Sequence, residues 1–184
     1  SGMLARLRDW FVQLWAESLG KRRRLDGSVS PTGQTPLGAL GVTDQHSLLQ
    51  LFAEGPDDKT YTLVVRENAA GAIKVPKDAG GPKQWGYLGG KRLNDLFYAE
   101  AFGTEATLIK EKRPLLKVVL EGGMEEELGA LLAFFMMRTA YVASLIEVNA
   151  FNQPGVEYGK RLARAMLLSE KSEAAVRWRR QIRV

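Results

Sequence analysis

Apolar residues recur at Leu4, Leu7, Phe11, Leu14 and Trp15. That spacing returns to one side of a helix every three or four positions and predicts an amphipathic helix over about 3–20, stopped at Gly20. Residues 21–42 hold Gly, Pro, Ser and Thr with little periodicity. They should form a long loop, a kind of segment that often carries function in compact domains. A helix over about 44–54 should follow, capped by Thr43 or Asp44. Tyr61-Thr62-Leu63-Val64-Val65 reads as a strand and Ala72–Val75 as a weaker one. Gly80-Gly81-Pro82 and Gly89-Gly90 punctuate a loop.

The pattern turns helical again over about 91–111, with a break or bend expected near Gly103. Leu115–Leu120 is a near-continuous apolar run, as in a buried parallel strand. Helices over about 124–148, 154–168 and 170–182 complete the pass. Strands separated by helices, without hairpin signals, predict an α/β domain with a mostly parallel sheet. The strands are few for a complete doubly wound sheet. The sequence shows no internal repeat and no low-complexity segment.

One helix tests the class. Leu128 to Ile146 is almost wholly apolar and approaches the length of a membrane span. Arg138 at its centre would cost roughly 2.5–3.5 kcal/mol on insertion. Glu125-Glu126-Glu127 suits the first turn of a soluble helix. The expectation is a central helix buried on most sides, with no membrane.

Composition narrows the chemistry. The 184 residues include no Cys and one His. That excludes a disulfide framework and a thiolate metal site, and leaves no zinc site in view. A cytoplasmic setting is expected. Residues 1–20 do not read as a secretory signal, being interrupted by Arg6, Arg8 and Asp9. Ser1-Gly2 ahead of Met3 reads as an expression remnant. The net charge is +5, from 26 basic and 21 acidic residues. It is locally uneven: Lys21-Arg22-Arg23-Arg24 form one cluster, and Arg177, Arg179, Arg180 and Arg183 crowd the end. The near balance of signs, without aromatic residues interleaved among the basic ones, argues against nucleic acid as a partner.

Three places hold polar groups worth weighing. Gln13 and Glu17 in QLWAESLGK are four apart and share a helix face. His46 in GVTDQHSLLQLF lies where a polar loop turns into a helix. Imidazole exchanges protons readily near neutral pH, so His46 is suited to passing protons to hydroxyl groups. In FNQPGVEYGKRLARAM, Pro154 suits the first helical position. Val156, Gly159, Ala163, Met166 and Leu167 then trace an inward stripe, with Lys160 on or beside it.

FNQPGVEYGK closely resembles the C-terminal signature of glucose-6-phosphate isomerases: an aromatic residue, Asp or Asn, Gln, any residue, Gly-Val-Glu, two residues and Lys. GVTDQHSLLQLFAEGP resembles the histidine segment of that family, and WFVQLWAESLGK the segment with its catalytic glutamate. RLNDLFYAEAFGTEATLIKEKRP and EELGALLAFFMMRTAYVASLIEVNAFNQPGVEYGK resemble bacterial members in order and spacing. The resemblance runs from about residue 4 to residue 168. Ala150 and Asn152 depart from the Pro and Asp of many members.

The resemblance implies a fold. Residues 1–184 would be a single domain, the second sugar-isomerase (SIS) domain of a two-domain enzyme. It would be a three-layer, flavodoxin-like α/β domain with C-terminal helices. It also implies interconversion of glucose 6-phosphate and fructose 6-phosphate, without metal or organic cofactor. Glu17 looks like the base that moves a proton between carbons 1 and 2, His46 like the residue that opens the ring, and Lys160 like its helper at the ring oxygen. Gln13 and Gln153 look like substrate-contacting amides. A homodimer is implied, with the histidine reaching into the neighbouring subunit's site. The first SIS domain, with its Ser/Thr-rich phosphate loop and its arginine, has no counterpart here. The chain therefore reads as a C-terminal fragment, inactive alone. The competing reading is a non-catalytic SIS module that binds a sugar phosphate and regulates something else.

Overall fold

The computed structural model describes residues 2–30, 33–66, 73–78, 80–168, 176–177 and 180. Helix α1 spans Gly2–Leu19 and α2 spans Leu49–Glu54. Strand β1 is Tyr61–Arg66, α3 is Leu93–Lys110 and β2 is Leu115–Leu120. Helices α4, Met124–Leu145, and α5, Pro154–Leu167, follow. Most of the expected helix 170–182 lies outside the described residues.

The chain divides into two compact units. The first holds residues 1–10 and 37–132, the second 11–36 and 133–184. In the first unit, β1 and β2 pair in parallel from Tyr61↔Leu115 to Arg66↔Leu120. A parallel pair needs a long crossover, and α3 supplies it. The architecture is thus mixed α/β around a small parallel sheet. Tyr98 Oη donates to the Arg66 carbonyl at 2.5 Å and ties α3 to the end of β1. The Arg113 guanidinium donates to the Ala53 carbonyl at 2.7 Å and the Gly55 carbonyl at 2.6 Å. A cation there satisfies carbonyls that the end of α2 leaves open.

The second unit is built on the rear of α1 and the later part of α4. Trp15, Leu19, Ala143 and Val148 form its buried core, with Phe11, Val142, Ile146 and Ala150 packed against it. Phe11 meets Trp15 and Phe135 with ring centroids 5.4 and 4.8 Å apart. The Arg138 guanidinium lies over the Trp15 ring, 5.5 Å from its centroid. Burial lowers the pKa of Arg138 from its ordinary value.

Several expectations change. Helix α4 is not buried on most sides. It buries one stripe, Leu131, Phe135, Thr139 and Ala143, while Met136, Met137, Tyr141 and Leu145 are exposed. The buried Thr139 hydroxyl donates to the Phe135 carbonyl at 2.7 Å, so the stripe carries no open polar group there. By length and composition α4 is also long and apolar enough to cross a membrane, with 22% of its apolar window buried. Helix α3 runs through Gly103 without interruption. The helix expected over 44–54 splits into a 3-10 turn, Thr43–Gln45, and α2, whose start has no side-chain cap. Asp44 instead accepts the Leu40 N–H at 2.6 Å and faces Arg8 at 3.7 Å. The weak strand at 72–75 reduces, among its described residues, to a single bridge between Lys74 and Arg92.

The basic loop after α1 also holds a small hairpin. Arg23 bridges Val29, the Arg24 N–H reaches the Ser28 carbonyl at 2.9 Å, and Gly27 turns the chain at φ 85°. Asp26-Gly27 is a turn pair of the kind that favours hairpins, and no hairpin was expected in the long loop after α1.

Candidate active site

The Glu17 carboxylate sits near the end of α1 with a donor on each oxygen. Gln13 Nε2 donates to Oε1 at 3.1 Å, across one helical turn. Gln153 Nε2 donates to Oε2 at 2.6 Å from 136 positions away. The residue stays exposed, so a substrate can reach it. Each carboxylate oxygen keeps further acceptor capacity beyond the amide it already binds. Such a group is fixed in plane and still open to a reacting proton.

Local structure explains why Gln153 arrives there. Helix α4 ends with Glu147 in the left-handed region at φ 59°, and the Val148 N–H returns to the Ala143 carbonyl at 2.9 Å. That closure satisfies a helix-end carbonyl and turns Val148 back into the core beside Trp15 and Leu19. The Leu25 N–H binds the Glu147 carbonyl at 2.7 Å, and Arg24 pairs with the Glu147 carboxylate at 3.2 Å. Asn149 Oδ1 accepts the Phe151 N–H at 2.8 Å, turning the chain once more before α5. Pro154 begins α5, and Gln153 is left just outside it. On the other side, α1 ends at Gly20. A β-carbon there would stand 2.6 Å from the Ala16 carbonyl oxygen.

Lys21 completes the group. Its ammonium donates to the Glu17 carbonyl at 2.5 Å and to the Asn152 carbonyl. Burial lowers its pKa, and the Glu17 charge opposes that shift. In the sequence Lys21 stands out only as part of a basic run. The signal that could have found it is its place four residues after Glu17, past the end of α1, where a cation meets open carbonyls.

Lys160 is elsewhere on α5. It is exposed and pairs with Glu157 at 3.1 Å, one turn away. The inward stripe expected beside it is not the buried one: Ala165 is buried and Leu162 and Met166 half-buried, while Val156, Ala163 and Leu167 are exposed. His46 belongs to the first unit and is exposed there. It closes the 3-10 turn, its N–H on the Thr43 carbonyl at 3.2 Å. Neighbouring Gln45 anchors that turn to α3 through Thr104 at 2.7 Å. The structure thus joins Gln13, Glu17 and Gln153 directly, and gives Lys160 a different partner. Among the described residues, no three His, Cys, Asp or Glu are grouped to hold a metal ion.

Residues 100–178 match the family model described as Phosphoglucose isomerase. A glucose-6-phosphate isomerase of Carboxydothermus hydrogenoformans is 41% identical over 165 residues, 90% of this chain and 36% of that protein. One of Rubrobacter xylanophilus is 43% identical over 171 residues, with 89% and 36% covered. The chain is a relative of the phosphoglucose isomerases. A hypothetical protein of Thermus thermophilus, solved by crystallography, superposes with a TM-score of 0.82 at 41% identity, covering 91% of this chain and 39% of that one. A glucose-6-phosphate isomerase of Chlamydia trachomatis superposes at 0.71 with 22% identity, over 97% of this chain and 36% of that one, and shows the fold alone. The chain spans under two fifths of the length of these relatives. The phosphoglucose isomerase match by family model includes α4, the turn at Glu147 and α5, and so the segment that delivers Gln153.

Proposed function

We propose that this chain is the Glu17-bearing part of a glucose-6-phosphate isomerase, the second SIS domain of a longer flavodoxin-like, three-layer enzyme that works as a cytoplasmic homodimer. The observation that carries the reading is the Glu17 carboxylate held on both oxygens by Gln13 and Gln153. A proton on carbon next to a carbonyl is weakly acidic, and a carboxylate fixed within about 3 Å of it is a competent base. Glu17 takes the proton from carbon 2 of the open-chain aldose. The electron pair left behind makes a cis-enediolate, the proton on the carbon-2 oxygen passes to the carbon-1 oxygen, and the same carboxyl returns its proton to carbon 1, leaving a carbonyl at carbon 2 and so the ketose. The enediolate charge needs a cationic or hydrogen-bonding partner.

In this reading His46 carries the ring-opening proton, acting in the site of a neighbouring subunit, and Lys160 helps at the ring oxygen after leaving Glu157. Gln13 and Gln153 hold the base and touch substrate. No cofactor takes part. The phosphate is bound by the part of the enzyme that this chain lacks, and remote binding energy supports the reacting end. The uncharged outer face of α4, with Met137, Tyr141 and Leu145 exposed, is the surface that this remaining part covers. Neither a membrane nor a nucleic acid is a partner.

A coupled isomerase assay with fructose 6-phosphate tests this. The chain alone should be silent. Mixed with the remaining portion of a phosphoglucose isomerase it should turn over substrate, and Glu17→Gln should lower that turnover by about 10²–10⁴-fold. Silence from folded proteins that form a complex would favour a non-catalytic module that binds sugar phosphate.

A further inference from the structure

Lys21 has no role in the reaction set out above, yet its ammonium spans the two chain segments that meet at Glu17. One acceptor is the Glu17 carbonyl, at 2.5 Å. That carbonyl is in the last turn of α1, where no backbone N–H remains to fill it. The other is the Asn152 carbonyl, 131 positions away. The peptide that carries this oxygen is the one that enters Gln153. Because a peptide group is planar, holding the Asn152 oxygen also fixes the nitrogen and Cα of Gln153. From that point the Gln153 amide reaches Glu17 Oε2 at 2.6 Å.

We propose that Lys21 is a positioning residue that sets Gln153 against the Glu17 carboxylate. Lys21 bonds to main chain alone in this cluster. It grips the backbone of both residues, and the side chains then meet. Charge-assisted donation suits the task, since bonds from an ammonium are shorter and stronger than bonds between neutral groups. The cluster would then stand on two independent supports. The core of Trp15, Leu19, Ala143 and Val148 brings the ends of α1 and α4 together, and Lys21 sets the last few residues before α5. The catalytic part of this inference rests on the reading of Glu17 as the base; the placement of Gln153 does not.

The test uses nuclear magnetic resonance on the chain and steady-state kinetics on the reconstituted isomerase. In Lys21→Met the Gln153 side-chain amide should exchange about tenfold faster or more, as expected on losing a bond to a charged group. Methyl signals of Leu19, Ala143 and Val148 should hold their places. The mixture containing Lys21→Met should lose kcat with KM little changed. Unchanged protection of the Gln153 amide in a folded variant would overturn the proposal, as would unchanged kcat. Should Lys21→Met not fold, the unmutated chain decides. A slowly exchanging ammonium signal from Lys21, with cross-relaxation to the Asn152–Gln153 segment, supports the proposal, and its absence overturns it. Faster Gln153 exchange in the variant beside an unmutated mixture that never isomerises would keep the placement of Gln153 and remove the isomerase reading.

Discussion

Glu17 and Lys160 are both exposed, charged and helical, and both belong to the second unit. Glu17 is held by residues from α1 and from the segment before α5. Lys160 touches a partner on its own helix, three residues back. The first arrangement exists only when two distant stretches of chain have packed. The second is available to any helix carrying Glu and Lys at that spacing. Exposure alone therefore does not separate a built site from a solvated surface. What separates them is whether the contacts that orient the group are non-local.

The sharpest break of this comparison is Glu17→Gln. In the reconstituted enzyme it should lower kcat by about 10²–10⁴-fold, the range a positioned acid or base contributes. The melting temperature of the chain should stay close to that of the unmutated protein, because the substituted side chain is exposed. Trp15→Ala attacks the support instead. Removing a buried Trp costs about 3–5 kcal/mol, and here it also removes the ring under Arg138 and the contact to Phe11. Denaturant titration should show that loss, with the Gln153–Glu17 bond lost alongside it.

A smaller effect marks the other side of the comparison. The Lys160 and Glu157 side chains are 62% and 57% exposed, and pairs of this kind are worth about 0–1 kcal/mol. Lys160→Met should leave the denaturation midpoint nearly unmoved. A fall in kcat of the reconstituted enzyme would then report chemistry at Lys160 rather than folding. The smallest effect concerns the hairpin after α1. Hydrogen bonds from Ser28 lower the Asp26 pKa from its ordinary value. A depressed folded-state pKa gives stability that is present above the unfolded value and lost as pH falls through the folded one. Since Asp26 is fully exposed, Ser28→Ala should lower melting at neutral pH only marginally and leave it unchanged in acid. It should flatten a shallow loss of stability confined to the acid range below the ordinary aspartate value.

Much of the fold was legible. Helical spacing marked α1, α3, α4 and α5 to within a few residues, and the apolar Leu115–Leu120 run marked β2. The strand is not buried as that run suggested: only Leu120 is buried, while Leu116, Lys117 and Val119 are exposed because the described sheet has two strands and covers little of their faces. The parallel pairing followed from the helix between the strands. The splitting of 44–54 was not legible: Asp44 turns its carboxylate to the Leu40 N–H rather than capping α2, and a capping residue can serve a loop as well as a helix. The hairpin at Asp26-Gly27 was missed because its strands are single bridges, too short to show alternation.

By itself the sequence determined that Gln13 and Glu17 share a face, because four residues are close to one helical turn. It determined that Leu128–Ile146 would be helical and that Pro154 would start α5. Only the tertiary structure decided which side of α4 is covered. A helix apolar all round carries no periodic signal to choose a side, and Trp15, Leu19 and Val148 make that choice by packing. Tertiary structure alone also turned Lys160 outward and brought Gln153 and Lys21 together around Glu17. Periodicity describes neighbours one turn apart, whereas these contacts join residues more than a hundred positions distant, and only the folded core brings those within reach.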